Sequence, residues 1–73
     1  MDDESLLKRI VCDSRILGGK PVIAGTRLSV EFIVNQLAHG STFQEILNEY
    51  TGLTQDDVRA CLLYAARSLS GAA

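Results

Sequence analysis

From Ser29 to the end of the chain, the apolar positions recur at helical spacing. Val30, Ile33, Val34, Leu37 and Ala38 fall at i, i+3, i+4, i+7 and i+8, a stripe along one side of a helix. Ser29 supplies an N-cap hydroxyl before the stripe, and Gly40 follows it at the position that favours a left-handed residue. A capping box, Ser41 with Gln44 or Thr42 with Glu45, then opens a second, short helix bearing Phe43, Ile46, Leu47 and Tyr50. Thr51-Gly52-Leu53 interrupts it, and Thr54 with Asp57 three positions later caps a third. Val58, Cys61, Leu62, Ala65 and Leu69 form the third stripe, which Leu63, Tyr64 and Ala66 widen. A face that broad predicts burial on more than one side, with a second subunit as one way to supply it. Ser70-Gly71-Ala72-Ala73 reads as a frayed end.

The first 28 residues follow another rule. Asp3 to Lys8 holds a single weak helical turn, with only Leu6 and Leu7 apolar. Arg9-Ile10-Val11-Cys12 reads as a short strand, because β-branched residues fit a pleated surface. Ten residues from Gly18 to Arg27, Gly-Gly-Lys-Pro-Val-Ile-Ala-Gly-Thr-Arg, then include the only proline of the chain. Glycine serves where φ must be positive, and Pro21 fixes φ and withholds an N–H. Pro21-Val22-Ile23 and Thr26-Arg27-Leu28 are predicted to pair as an edge hairpin across Ala24-Gly25. The expected architecture is mainly α, a trihelical bundle with a helix-turn-helix arrangement preceded by a short N-terminal β hairpin. One domain spans 1–73, with the β part at 9–28 and three helices at 29–69.

Size and charge narrow the functions. A chain of 73 residues buries only about 60% of the surface it exposes when unfolded, so a partner is a common source of added stability. Cys12 and Cys61 are far apart and form no C-x-x-C pair, and with one histidine they make no metal cluster. Both are expected to be reduced, small and buried, and no cofactor is expected. The acidic start, Met1-Asp2-Asp3-Glu4, carries neither the basic nor the long apolar part of a signal peptide. No apolar run approaches a membrane span, so a cytoplasmic location is expected. Net charge is -2, which disfavours a general nucleic-acid binder. Residues 14–29 form the one basic block, with Arg15, Lys20 and Arg27 and no acid.

The candidate chemistry is sparse. A recognition helix would enter the major groove by its N-terminal end, here Thr54-Gln55-Asp56-Asp57. Two carboxylates there would meet phosphates, which leaves Gln55 and Arg59 as the candidate DNA contacts. Glu45 and Glu49, one turn apart, read as a solvated acidic pair, and His39 beside Gly40 as a helix-dipole partner with no triad around it. Gly18-Gly19-Lys20-Pro21 fails as a phosphate loop, because a strand and not a helix follows the lysine. An enzyme is therefore not expected. Lys20, Thr26 and Arg27 remain as candidate partner or dimer contacts on an edge strand, a template for another chain. The alternative is that Thr26 and Arg27 only hold the hairpin.

These positions carry a resemblance. The pattern Ile10…Asp13…Ile16-Leu17-Gly18-Gly19-Lys20-Pro21-Val22-Ile23-x-Gly25-Thr26-Arg27-Leu28-x-Val30, followed by Leu37-Ala38-x-Gly40-Ser41, Glu45-Ile46-Leu47, Tyr50, Leu53-Thr54-x-Asp56-Asp57-Val58 and Tyr64-Ala65, resembles the family called domain of unknown function 433. The resemblance implies a homeodomain-like trihelical fold and an antitoxin-like role of the VapB type. In that role the chain would bind and silence a PIN-like ribonuclease and regulate its own operon. It supplies no catalytic residues. A DNA-binding helix-turn-helix regulator and a general protein-interaction module without a toxin are the alternatives, and a homodimer is expected from the breadth of the apolar face.

Overall fold

The computed structural model describes residues 2–70; the frayed end expected at 71–73 lies outside them. In chain order the elements are α1 (Asp3–Leu7), β1 (Ile10–Cys12), a 3-10 turn at Leu17–Gly19, β2 (Pro21–Ile23), α2 (Val30–Ala38), α3 (Phe43–Glu49) and α4 (Gln55–Ser68). This is the expected mainly helical chain, with two antiparallel strands near its N-terminus and α2, α3 and α4 as the trihelical part.

The helix boundaries are set by the side chains read from the sequence. Ser29 Oγ accepts the Phe32 N–H at 2.9 Å and starts α2. Gly40, at φ 99°, takes the left-handed conformation after its end. Of the two boxes open for α3, Thr42 with Glu45 forms: Thr42 Oγ1 accepts the Glu45 N–H at 3.1 Å, and Glu45 Oε1 accepts the Thr42 N–H at 2.8 Å. Ser41 instead bonds Gln36. Thr54 and Asp57 make the same reciprocal pair for α4.

Ile23, Val30, Ile33, Ile46, Val58 and Cys61 form the buried core, with Ile10, Leu28, Val34, Leu37, Phe43, Leu47, Tyr50, Leu53 and Tyr64 packed around it. Each fully buried large aliphatic side chain contributes about 1.5–3 kcal/mol relative to exposure. In α4 the stripe is shifted from its predicted line. Leu62 and Leu69 are exposed, whereas Ala60, about 200° round the helix from Val58, is fully buried. The cause is α1. Its buried Leu6 lies against α4 with Arg59, Leu62 and Leu63, so α4 is packed on two sides within one chain. The N-terminal segment runs antiparallel to α4, from Arg67–Asp3 at 2.8 Å to Arg9–Asp57 at 3.0 Å. The breadth of the apolar face therefore has an internal explanation and no longer argues for a second subunit.

The hairpin differs from its prediction. β2 pairs with β1, in the register Ile10 opposite Ile23, Val11 opposite Val22 and Cys12 opposite Pro21. Residues 26–28 form no strand. The chain returns through a longer loop, closed by Thr26 N–H to Ile23 C=O and Ile23 N–H to Leu28 C=O, both 3.0 Å, with a single bridge between Val22 and Ser29. Thr26 is the physical reason. Its hydroxyl donates to the Ile23 carbonyl at 2.7 Å and accepts the Leu28 N–H at 3.0 Å, so a side chain competes with a two-residue hairpin ladder. Gly25, at φ 79°, occupies the turn position that requires a positive angle.

Candidate functional site

The start of β2, the outer face of α2 and the C-terminal half of α4 enclose an open groove of about 450 Å³. Its wall on α2 is Val30, Val34 and Ala38, which follow one another at i, i+4 and i+8 on one side of the helix. Tyr64, Ala65 and Ser68 form the wall on α4, and Pro21 closes the end against β2. The lining is mostly apolar, with Asn35 and Ser68 as hydrogen-bonding groups. At the rim, Lys20 Nζ and Glu31 Oε1 form an ion pair at 3.1 Å; both are exposed, so the pair adds little to stability. Tyr64 holds its proton more firmly than an ordinary phenol, through burial first and then through the neighbouring Cys12.

The three signature residues expected as contacts on an edge hairpin differ in their local surroundings. Lys20 stands at the groove rim, bound to Glu31. Thr26 is half-buried, with its hydroxyl used to hold the turn. Arg27 is exposed and makes no ion pair among the described residues. The basic block is correspondingly muted. Arg15 donates twice to Asp13, at 3.1 and 2.9 Å, which holds the Asp13 carboxyl below its ordinary range and raises Arg15.

The N-terminal end of α4 is arranged differently from the sequence picture of two carboxylates facing outward. Asp57 is buried, because it caps Thr54 and binds Arg9. Gln55 is exposed, and Arg59 lies 3.6 Å from Asp56 in an i, i+3 pair. With Asp3 on Arg67, both arginines of α4 already face carboxylates, and α1 packs beside Arg59. The acidic pair Glu45 and Glu49 is also split by function, since Glu45 closes the α3 capping box. His39 Nδ1 lies 2.8 Å from the Asn35 carbonyl at the end of α2, the helix-end contact expected of it.

The cysteines differ from each other. Cys61 is fully buried, and burial, followed by the charge of Asp57, pushes its thiol up to about 12. Cys12 is exposed, contrary to expectation, because its strand lies at the rim of the two-stranded sheet. Both are free thiols. Among the described residues, no group of three or more His, Cys, Asp or Glu could hold a metal ion, and no helix is long and apolar enough to cross a membrane.

Sequence reasoning missed the groove residues Asn35, Tyr64, Ala65 and Ser68 as a set, although the outer member of the α2 stripe, Ala38, was a signal. An apolar stripe wider than one neighbour can cover leaves its edge open to another surface. It also missed Leu17, which sits at φ 49° with 44% of its surface exposed. Nothing in the sequence marked a leucine for the left-handed region.

Comparison with known proteins places this architecture. A solved crystal structure of a DUF433 member protein from Anabaena variabilis ATCC 29413 superposes with a TM-score of 0.79 at 30% identity, covering 88% of this chain and 63% of that one. An uncharacterized protein, y4eO, of Sinorhizobium fredii (strain NBRC 101917 / NGR234) is 33% identical over 66 residues, which is 89% of this chain and 30% of that protein. The chain thus spans less than two thirds of either relative. The model of the family described as "Protein of unknown function (DUF433)" matches residues 10–65, from β1 to the groove residue Ala65, and the chain belongs to that family.

Proposed function

We propose that this chain is a protein-binding module of the antitoxin type, which seats a helix of a PIN-like ribonuclease in the groove between α2 and α4 and so keeps that enzyme silent. The observation that carries the reading is the groove itself, an apolar trough in a molecule whose described buried polar side-chain atoms all have hydrogen-bond partners. A small ligand is held by a site that encloses 70–90% or more of its surface. Here Lys20, Glu31, Asn35, Ala38 and Ser68 are all exposed along the rim, so the trough is open lengthwise. Two helical walls with small residues between them suit an amphipathic helix whose apolar residues recur at i, i+3, i+4 and i+7. The nuclease partner comes from the resemblance of the signature segment, and DUF433 membership is compatible with it. Control of the operon would need a DNA surface, and the paired arginines of α4 give that part of the role little support.

The test is to read the neighbouring frame for a PIN-like ribonuclease, whose absence would count against the reading, and to co-express that enzyme with this chain. Growth should be restored by the native chain and not by Ala38→Arg, which puts a charge into the groove while leaving the core untouched. Failure of the native chain to bind or silence that enzyme, or full rescue by Ala38→Arg, would overturn the reading.

A further inference from the structure

A second surface is set up for pairing, and it is not the groove. In the ladder between the strands, Ala24 N–H bonds the Arg9 carbonyl at 2.8 Å, so residues 9 and 11 are the ones whose backbone groups face β2. Ile10 and Cys12 occupy the alternate pairs and turn their N–H and C=O groups away from β2, where no described residue bonds them. β2 has no such free side. Ile23 N–H is taken by Leu28, and Val22 bridges to Ser29. The open edge of the sheet is therefore β1, and apart from its shortness it carries none of the side-chain protections of an edge: Ile10, Val11 and Cys12 include no charge and no proline. Val11 is 38% exposed and Cys12 is exposed.

We infer that β1 is a docking edge for β1 of a second copy of this chain, joining two two-stranded sheets into one of four strands. The occupant follows from the sequence of the edge. Paired antiparallel about Val11, Arg9-Ile10-Val11-Cys12-Asp13 is its own complement. Arg9 of each copy stands opposite Asp13 of the other, Ile10 opposite Cys12, and Val11 opposite Val11. The backbone phase agrees. The two outward-facing residues, Ile10 and Cys12, become the hydrogen-bonded pairs, and Val11 becomes the non-hydrogen-bonded pair on the two-fold axis, where side chains come closest. Arg9 and Asp13 keep their own partners, Asp57 and Arg15, so charges alternate in sign along the seam. A strand from an unrelated protein would match the backbone but has no reason to match this charge order. The inference concerns a surface apart from the groove and stands whether or not a nuclease docks there.

Val11→Cys in a Cys12→Ser background places one thiol per copy on the two-fold axis. The expected result is a disulfide-linked dimer under mild air oxidation at native pH, and sedimentation of the native chain at twice its monomer mass. Val11→Lys sets like charges opposite each other and should weaken the dimer about tenfold or more, with an unchanged circular dichroism spectrum. A monomeric native chain at the highest soluble concentration would overturn the inference. So would a dimer indifferent to Val11→Lys, or dimers that never cross-link at position 11; if Val11→Lys fails to fold, the cross-link decides.

Discussion

Replacing Asp57 by alanine tests how the N-terminal segment, the turn before α4 and the core are tied together. The side chain does two jobs at once. Oδ2 accepts the Thr54 N–H at 2.9 Å, and Oδ1 accepts Arg9 Nη1 at 3.0 Å, with the aspartate side chain 12% exposed and the arginine 33%. Loss of a helix-capping interaction costs about 1 kcal/mol. A charge-assisted bond to a partly exposed guanidinium, discounted for solvent screening, adds about 1 kcal/mol. Asp57→Ala should therefore destabilise by about 2 kcal/mol, a large share of the roughly 4–10 kcal/mol expected for a domain this size. In thermal unfolding followed by circular dichroism, that is a fall of about 10 °C or more. Asp57→Asn keeps an oxygen for Thr54 and loses the charge, so it should cost about half as much. The cycle with Arg9→Met isolates the pair, whose coupling should be about 0.5–1 kcal/mol. An Asp57→Ala protein that melts within a degree or two of the native chain would refute the reasoning.

Two further substitution and labelling experiments follow from the same geometry. Thr26→Val removes the hydroxyl that serves both Ile23 and Leu28, and should lower stability by about 1–2 kcal/mol in urea unfolding. A variant of native stability but reduced partner binding would instead make Thr26 a contact residue. A chromogenic disulfide should titrate one thiol in the folded chain, Cys12, and a second only after unfolding, since Cys61 is buried with its thiol at about 12. Because burial raises the Cys61 value in the folded state, its contribution to stability is full below the unfolded value of 9.0 and is lost as pH rises from there towards 12. A Cys61→Ala variant should lose that component of the alkaline destabilisation.

What the sequence showed well was local chemistry. Ser29, Thr42 and Thr54 each cap a helix with bonds that span only three residues, so the letters within one window settle the matter. What it hid depends on distant partners. The weak turn expected at Asp3 to Lys8 becomes a helix at Asp3–Leu7 that lies along α4, held by pairs separated by 64 and 48 residues, Arg67–Asp3 and Arg9–Asp57. No periodicity in six residues encodes such anchors. Asp57 illustrates the cost of reading charge without geometry. As a letter it was a carboxylate facing DNA, and in the fold it is a buried cap. The groove was half legible, because the α2 stripe extends to Ala38, while the α4 wall exists only through the angle between helices.

The glycine-rich signature can now be divided by what its side chains do. Gly25 and Thr26 shape and clamp the turn, and Val22 and Ile23 are buried. Pro21 tolerates its place because its missing N–H falls at a pair that β1 does not bond. Lys20 is committed to Glu31. Arg27 alone combines exposure with a charge that no described acid neutralises. Of the other side chains in the segment, only Lys20 and Ala24 are exposed as Arg27 is, while Val22 and Ile23 are buried and Thr26 is half-buried. The segment has a plain structural effect: it sets Pro21 at the end of the groove and holds β2 against β1 so that the outer edge of β1 stays open. If both proposals hold, specificity resides in the helix walls and the strand edge that the signature positions, with Arg27 as the one signature charge without an ion pair among the described residues.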